Sequence, residues 1–128
     1  MHLLLDTHVL LWAAGTPERL PMQAVDLIGD PSNALLFSAA SLWEITIKRG
    51  LGRSDFRVDP EVLRRGLLEN GYDELAIRGT HAMAVGYLPV IHRDPFDRIL
   101  VAQAEAEGVL LLTADDTVAR YPGPIRRV

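Results

Sequence analysis

The chain has 128 residues, enough for one domain with a core of its own. With no cysteine it can have no disulfide framework, no thiolate metal site and no cysteine nucleophile. Seventeen acidic against 13 basic residues leave a formal charge of −4, which excludes a protein that grips nucleic acid with a uniformly basic surface; 48% hydrophobic residues against 23% charged exclude disorder.

In chain order, His2 to Leu5 is a short apolar run ending at Asp6. Thr7 can cap a short helix through Trp12. Met22 to Ile28 has a helical pattern that closes near Gly29 and Pro31. Asn33 to Phe37 is a second apolar run, and Ala39 to Arg49 a helix with Lys48 and Arg49 placed favourably in its last turn. Asp59 and Pro60 open a helix to about Glu69. Leu75 to Ile77 is a weaker strand, and Thr80 to Val85 a short helix. Phe96 to Glu107 is the clearest helix, and Gly108 suits the left-handed position beyond its end. Val109 to Leu112 is a third apolar run, Asp115 or Asp116 can cap a final short helix through Val118, and Ile125 to Val128 reads as an edge strand. Apolar runs without polar alternation suit parallel strands buried on both faces. Alternating with helices, they predict an α/β fold with a central, mostly parallel sheet of four to five strands.

The longest stretch free of Asp, Glu, Lys and Arg, Gly79 to His92, falls short of the ~20 apolar residues that a membrane helix needs. Asp6 interrupts an N-terminus that has no basic region, so no secretory signal and a cytoplasmic address are expected.

In open α/β sheets ligands bind outside the carboxyl ends of the strands. Asp6, Thr7 and His8 follow the first run; Thr113, Asp115 and Asp116 follow the third. Glu44 lies early in the helix after the second run, and Asp94 and Asp97 stand at the start of the clearest helix. A parallel sheet could gather Asp6, Glu44, Asp97 and Asp115 around one cleft. Capping roles compete: Asp94 with Asp97 approaches a capping box, Ser41 and Glu44 have its spacing, and Asp116 can cap. Asp6 is the hardest to explain that way, because an acid ending a buried strand needs a partner or a cation. Clustered carboxylates repel unless a cation joins them, and hard oxygen ligands select Mg²⁺ or Mn²⁺, ions suited to phosphoryl chemistry. The four histidines are scattered, without metal-ligand spacing, and Gly-rich phosphate loops and a Gly-x-Ser-x-Gly elbow are missing. Thr7 and Thr113 could orient a water or an acid. Lys48 and Arg49, within a basic stretch to residue 65, and Arg93 and Arg98, flanking Asp94 and Asp97, are the candidate contacts to a phosphate backbone.

The segments Leu3-Leu-Leu-Asp6-Thr7-His8, Ser41-Leu-Trp-Glu44-Ile, His92-Arg-Asp-Pro-Phe-Asp97-Arg-Ile-Leu100 and Leu112-Thr113-Ala-Asp115 resemble, in order and spacing, the PIN-domain ribonucleases, and most of all the VapC-type toxins of toxin–antitoxin pairs. The resemblance spans essentially the whole chain, residues 1–128 as one domain. It implies a PIN-like three-layer sandwich, a homodimer, and Mg²⁺- or Mn²⁺-dependent endonucleolytic cleavage of RNA. The family's acidic site would fall on Asp6, Glu44, Asp97 and, less invariantly, Asp115, with Thr113 at its small hydroxyl position. It also implies a small VapB-like antitoxin whose tail crosses the cleft, in some cases placing an arginine among the acids.

Two other readings stay open. Asp6 could be the nucleophile of a phosphohydrolase resembling the haloacid dehalogenases, although His8 stands where those enzymes carry a second Asp. A PIN-like module could also bind nucleic acid or protein without cutting; a receiver-like module fits poorly, since Lys48 is the only lysine. Setting the four acids aside leaves as many acids as bases, so the −4 charge equals the expected site.

Overall fold

A computed structural model describes residues 1–128. The elements are β1 (His2–Leu5), α1 (Thr7–Gly15), α2 (Met22–Gly29), β2 (Ala34–Ser38), α3 (Ala39–Gly50), α4 (Pro60–Glu69), β3 (Asp73–Leu75), α5 (Gly79–Ala84), α6 (Pro95–Glu107), β4 (Leu110–Thr113) and β5 (Ile125–Arg127). Single 3₁₀ turns fall at Pro17–Arg19, Val85–Tyr87 and Val118–Arg120. The five strands form one sheet in the order β3-β2-β1-β4-β5, and every pairing is parallel.

The apolar runs go where two-sided burial requires. Leu3, Leu4 and Leu5 are fully buried, and each such side chain contributes about 1.5–3 kcal/mol relative to exposure. The strand pleat divides them between two cores. Leu3 and Leu5 join Phe37 and Leu112 beneath Val9 and Leu10 of α1, Ile45 of α3, and Leu63 and Leu67 of α4. Leu4 and Leu111 face the other way, onto Leu100, Val101 and Ala104 of α6 and onto Val118 and Tyr121. Helices on both faces of a parallel sheet give three layers.

The departures from expectation have local causes. β3 lies two residues earlier than its apolar segment suggested. It is an edge strand in which Asp73 and Glu74 face solvent and Leu75 alone is buried, and Arg64 of α4 holds Glu74 at 2.7 Å. The cap of α1 is Asp6 rather than Thr7, and the helix continues to Gly15. The cap of α3 is Ser38, whose hydroxyl accepts the Ala40 N–H at 3.0 Å. The Ser41–Glu44 capping box therefore does not form, because Ser41 already lies inside the helix. The segment after Asp116 makes a 3₁₀ turn, and Asp116 pairs with Arg127 across to β5 instead of capping.

The sheet order reverses at β1. From there the chain builds β2 and β3 to one side, then returns to place β4 and β5 on the other. This is the topology that opens a crevice at the carboxyl ends of β1 and β4.

Candidate active site

Asp6 stands at that crevice. Its N–H donates to the Leu112 carbonyl at 3.0 Å, tying the end of β1 to β4. Its Oδ1 accepts the Val9 N–H at 2.9 Å and so caps α1. One carboxylate thus serves the helix with one oxygen and faces the cleft with the other. Burial pushes its pKa up, opposed by hydrogen bonds from the Thr113 hydroxyl and the Val9 N–H.

Glu44 is 2% exposed. Its Oε2 receives Lys48 Nζ, one turn along α3, at 2.5 Å, while its Oε1 has no partner. A buried carboxylate oxygen without a donor is costly unless something positive fills the space before it. Lys48 Nζ also lies 3.8 Å from Asp94 and 4.9 Å from the centre of the Phe56 ring, so the only lysine lines the cleft with its ammonium over an aromatic face.

Asp97 belongs to the first turn of α6, which Asp94 caps by accepting the N–H groups of Phe96 at 2.8 Å and Asp97 at 3.4 Å. Relieved of capping, Asp97 faces the cleft. Its pKa is pushed up to about 8, first by burial, then by the charges of Asp94, Glu44, Asp6 and Asp115. Asp115 is the open member, with a side chain 45% exposed. Its N–H donates to the Thr113 hydroxyl at 3.0 Å, and its Oδ1 accepts the Thr117 N–H at 2.8 Å.

The four expected acids therefore line one cavity of about 310 Å³, together with Thr7, His92 and Lys48. Thr113 lies beneath it and links Asp6 to Asp115; Thr7 donates to Ser41 at 3.0 Å and joins α1 to α3. A larger groove of about 610 Å³ between α1 and α4 is lined almost wholly by apolar side chains and carries no acid or base. The chemistry is in the smaller cavity.

His92 is the site residue that sequence spacing missed. His92, Asp97 and Asp115 each bring one donor atom to within 4.8 Å of the others. The signal was faint: a histidine two residues before a helix cap. The basic residues divide. Arg49 is half-exposed and 3.9 Å from Asp59. Arg93 is exposed at the turn into α6. Arg98 is spent on the loop before that helix: its guanidinium donates to the carbonyls of Val85, Pro89 and His92 and to the Tyr121 hydroxyl.

Five carboxylates line the cavity, the four expected and Asp94, against one lysine; with an unpartnered buried oxygen and a carboxyl driven toward its neutral form, they call for more positive charge than Lys48 supplies. The donors are hard oxygens, which fit Mg²⁺ or Mn²⁺.

The profile of the PIN domain matches residues 3–124. Solved structures with the same fold include the VapBC2 of Rickettsia felis bound to a DNA fragment from their promoter, at 17% identity and a TM-score of 0.68 over 99% of this chain and 98% of that one. DNA-bound VapBC from Salmonella typhimurium matches at 18% identity and a TM-score of 0.66, and VapBC-1 of nontypeable Haemophilus influenzae at 16% and 0.63; each covers 99% of this chain and 98% of the other. Among curated proteins none matches.

Proposed function

The chain belongs to the PIN-domain family, and from that premise we propose that it is a single-domain, metal-dependent endoribonuclease, the cytoplasmic toxin of a VapBC-like toxin–antitoxin pair. The observation that carries the nuclease reading is the unpartnered Oε1 of Glu44, buried in a cleft that also holds Asp6, Asp97 and Asp115. Asp6, Glu44 and Asp97 would hold a divalent cation directly or through water, and Asp115 would complete a second or weaker site. Mg²⁺ or Mn²⁺ there would supply Lewis acidity toward water and the phosphate oxygens.

The protein's own groups prepare that chemistry. Capping by Asp94 frees the Asp97 carboxylate, and Thr113 holds Asp6 against Asp115. Lys48 places a fixed positive charge beside Glu44 and Asp94, at the edge where a phosphodiester enters. Arg93, exposed between the cleft residues His92 and Asp94, and the half-exposed Arg49 are the candidates to hold the backbone outside the cleft. An antitoxin arginine in the same cleft would meet the same acids and supply the missing charge in place of a cation. A second copy of the chain is supported by Trp43, Ile47 and Leu51, three exposed apolar residues spaced four apart along α3 and its end.

The test is cleavage of RNA with Mg²⁺ or Mn²⁺ by the wild type, Asp6→Asn and Asp97→Asn. The wild type should cut and both variants should lose at least ~100-fold. Equal cleavage by all three would exclude this assignment.

A further inference from the structure

Resting on the reading of this cleft as a cation site, we infer that His92 is the positioning residue of Asp97: its clamped ring sets Nε2 against one carboxylate oxygen and so leaves the other for the cleft. The main chain sets the proton's place. Nδ1 of His92 accepts the Asp94 N–H at 3.3 Å, and a ring nitrogen that accepts must present its lone pair. Nε2 is then the nitrogen left to donate. That atom stands 3.2 Å from Oδ2 of Asp97 and 3.9 Å from Oδ2 of Asp115.

The ring's own backbone is clamped. The His92 N–H donates to the Tyr121 hydroxyl at 2.8 Å, and the His92 carbonyl accepts from that hydroxyl at 3.2 Å and from Arg98 at 3.5 Å. Arg98, anchored in turn on Pro89 and Val85, fixes the His92 carbonyl and with it the backbone that carries the ring. Asp94 therefore acts twice: its side chain caps α6, and its N–H orients His92. A nitrogen that carries a proton cannot also ligate a cation, so His92 works through Asp97 rather than as a ligand. Outer groups that orient a ligand in this way commonly govern affinity as much as activity.

Two substitutions separate the two nitrogens. In His92→Asn the amide oxygen stands near Nδ1 and keeps the bond from Asp94, but no donor reaches Asp97. In His92→Gln the amide nitrogen stands near Nε2 and keeps the donor. Full-length protein titrated with Mn²⁺ by calorimetry should show affinity weakened about tenfold in His92→Asn, with kcat on RNA down about ten- to hundredfold and KM unchanged, while His92→Gln stays within about threefold of wild type in both. Wild-type affinity and kcat in His92→Asn, or a loss in His92→Gln as large as that in His92→Asn, overturns the proposal. If His92→Asn does not fold, His92→Gln against His92→Leu decides it on the same criterion. A wild type that binds Mn²⁺ with this order of affinities but cuts no RNA removes the nuclease reading and leaves His92 in its role. A wild type that binds no Mn²⁺ removes both.

Discussion

Asp97 is a carboxyl group held away from water and among like charges, and both conditions favour its neutral form. An unfolded Asp releases its proton near pH 4, whereas this one keeps it to about pH 8. Between those limits the folded state binds the extra proton, so without a divalent cation stability falls as pH rises through the window. Asp97→Asn removes that dependence. Thermal melts in EDTA at pH 5 and pH 8 should show the wild type losing more than the variant, and Mn²⁺ at pH 8 should restore the wild type alone. Parallel behaviour of the two proteins would mean that Asp97 is not the group in conflict. Arg98 carries a different expectation, because its guanidinium satisfies three carbonyls and a hydroxyl. Arg98→Ala should cost about 1–3 kcal/mol of stability in urea unfolding, and the salt dependence of RNA binding should stay that of wild type. A reduced salt slope would show that the side chain reaches phosphate after all.

At the scale of elements, the site is a set of helix beginnings and strand ends. Asp6 caps α1, and Asp94 caps α6 one turn from Asp97. Asp115 turns the chain out of β4 with its side chain on the Thr117 N–H. Helix starts favour acids because their first N–H groups are unsatisfied and the helix dipole is positive there. The same preference that punctuates the fold thus stocks the cleft with carboxylates. The far end of α6 shows punctuation alone. Gly108 has φ 65° in the left-handed region, and an added Cβ would meet nothing within 4 Å. Gly108→Ala should therefore cost about 1 kcal/mol through backbone strain only. Cleavage per folded molecule should not change; a loss of activity beyond the loss of folded protein would tie this turn to the site.

At the scale of the whole molecule, five of the 17 acids, Asp6, Glu44, Asp94, Asp97 and Asp115, line one cavity with the only lysine. A divalent cation held there would offset part of the −4 charge at the place where phosphate would approach. No helix is long and apolar enough to cross a membrane. The exposed Trp43, Ile47 and Leu51 lie on the helix that also carries Glu44 and Lys48, which would set a second copy beside the cleft. Light scattering should find a species of twice 14.1 kDa, and Ile47→Glu with Leu51→Glu should return it to one. A wild type that is a monomer at working concentrations would reject that face as a self-contact.

What the sequence determined by itself was the pattern of burial and punctuation. Short unbroken apolar runs suit strands covered on both sides, and Asp59-Pro60, Asp94-Pro95 and Gly108 mark helix ends through backbone constraints that act within a few residues. Three of the four acids were legible for the same reason, Asp6 and Asp115 following strands and Asp97 opening a helix; Glu44, in the second turn of α3, was placed only by the helix that follows the second apolar run. The choice of cap was not, Asp6 rather than Thr7 one residue on and Ser38 rather than Ser41 three residues on, because both candidates offer an oxygen and packing chooses between them. Nor was the division of the basic residues. Lys48 at the cleft and Arg98 behind it differ only in which carbonyls and carboxylates the chain has folded around them. His92 was hidden for the strongest reason. Its role depends on a backbone N–H two residues on and a carboxylate five residues on, converging on the two sides of one ring. That convergence requires the loop before α6 to be held in one conformation, which the Tyr121 hydroxyl does from 29 residues along the chain, and no spacing in the sequence records it.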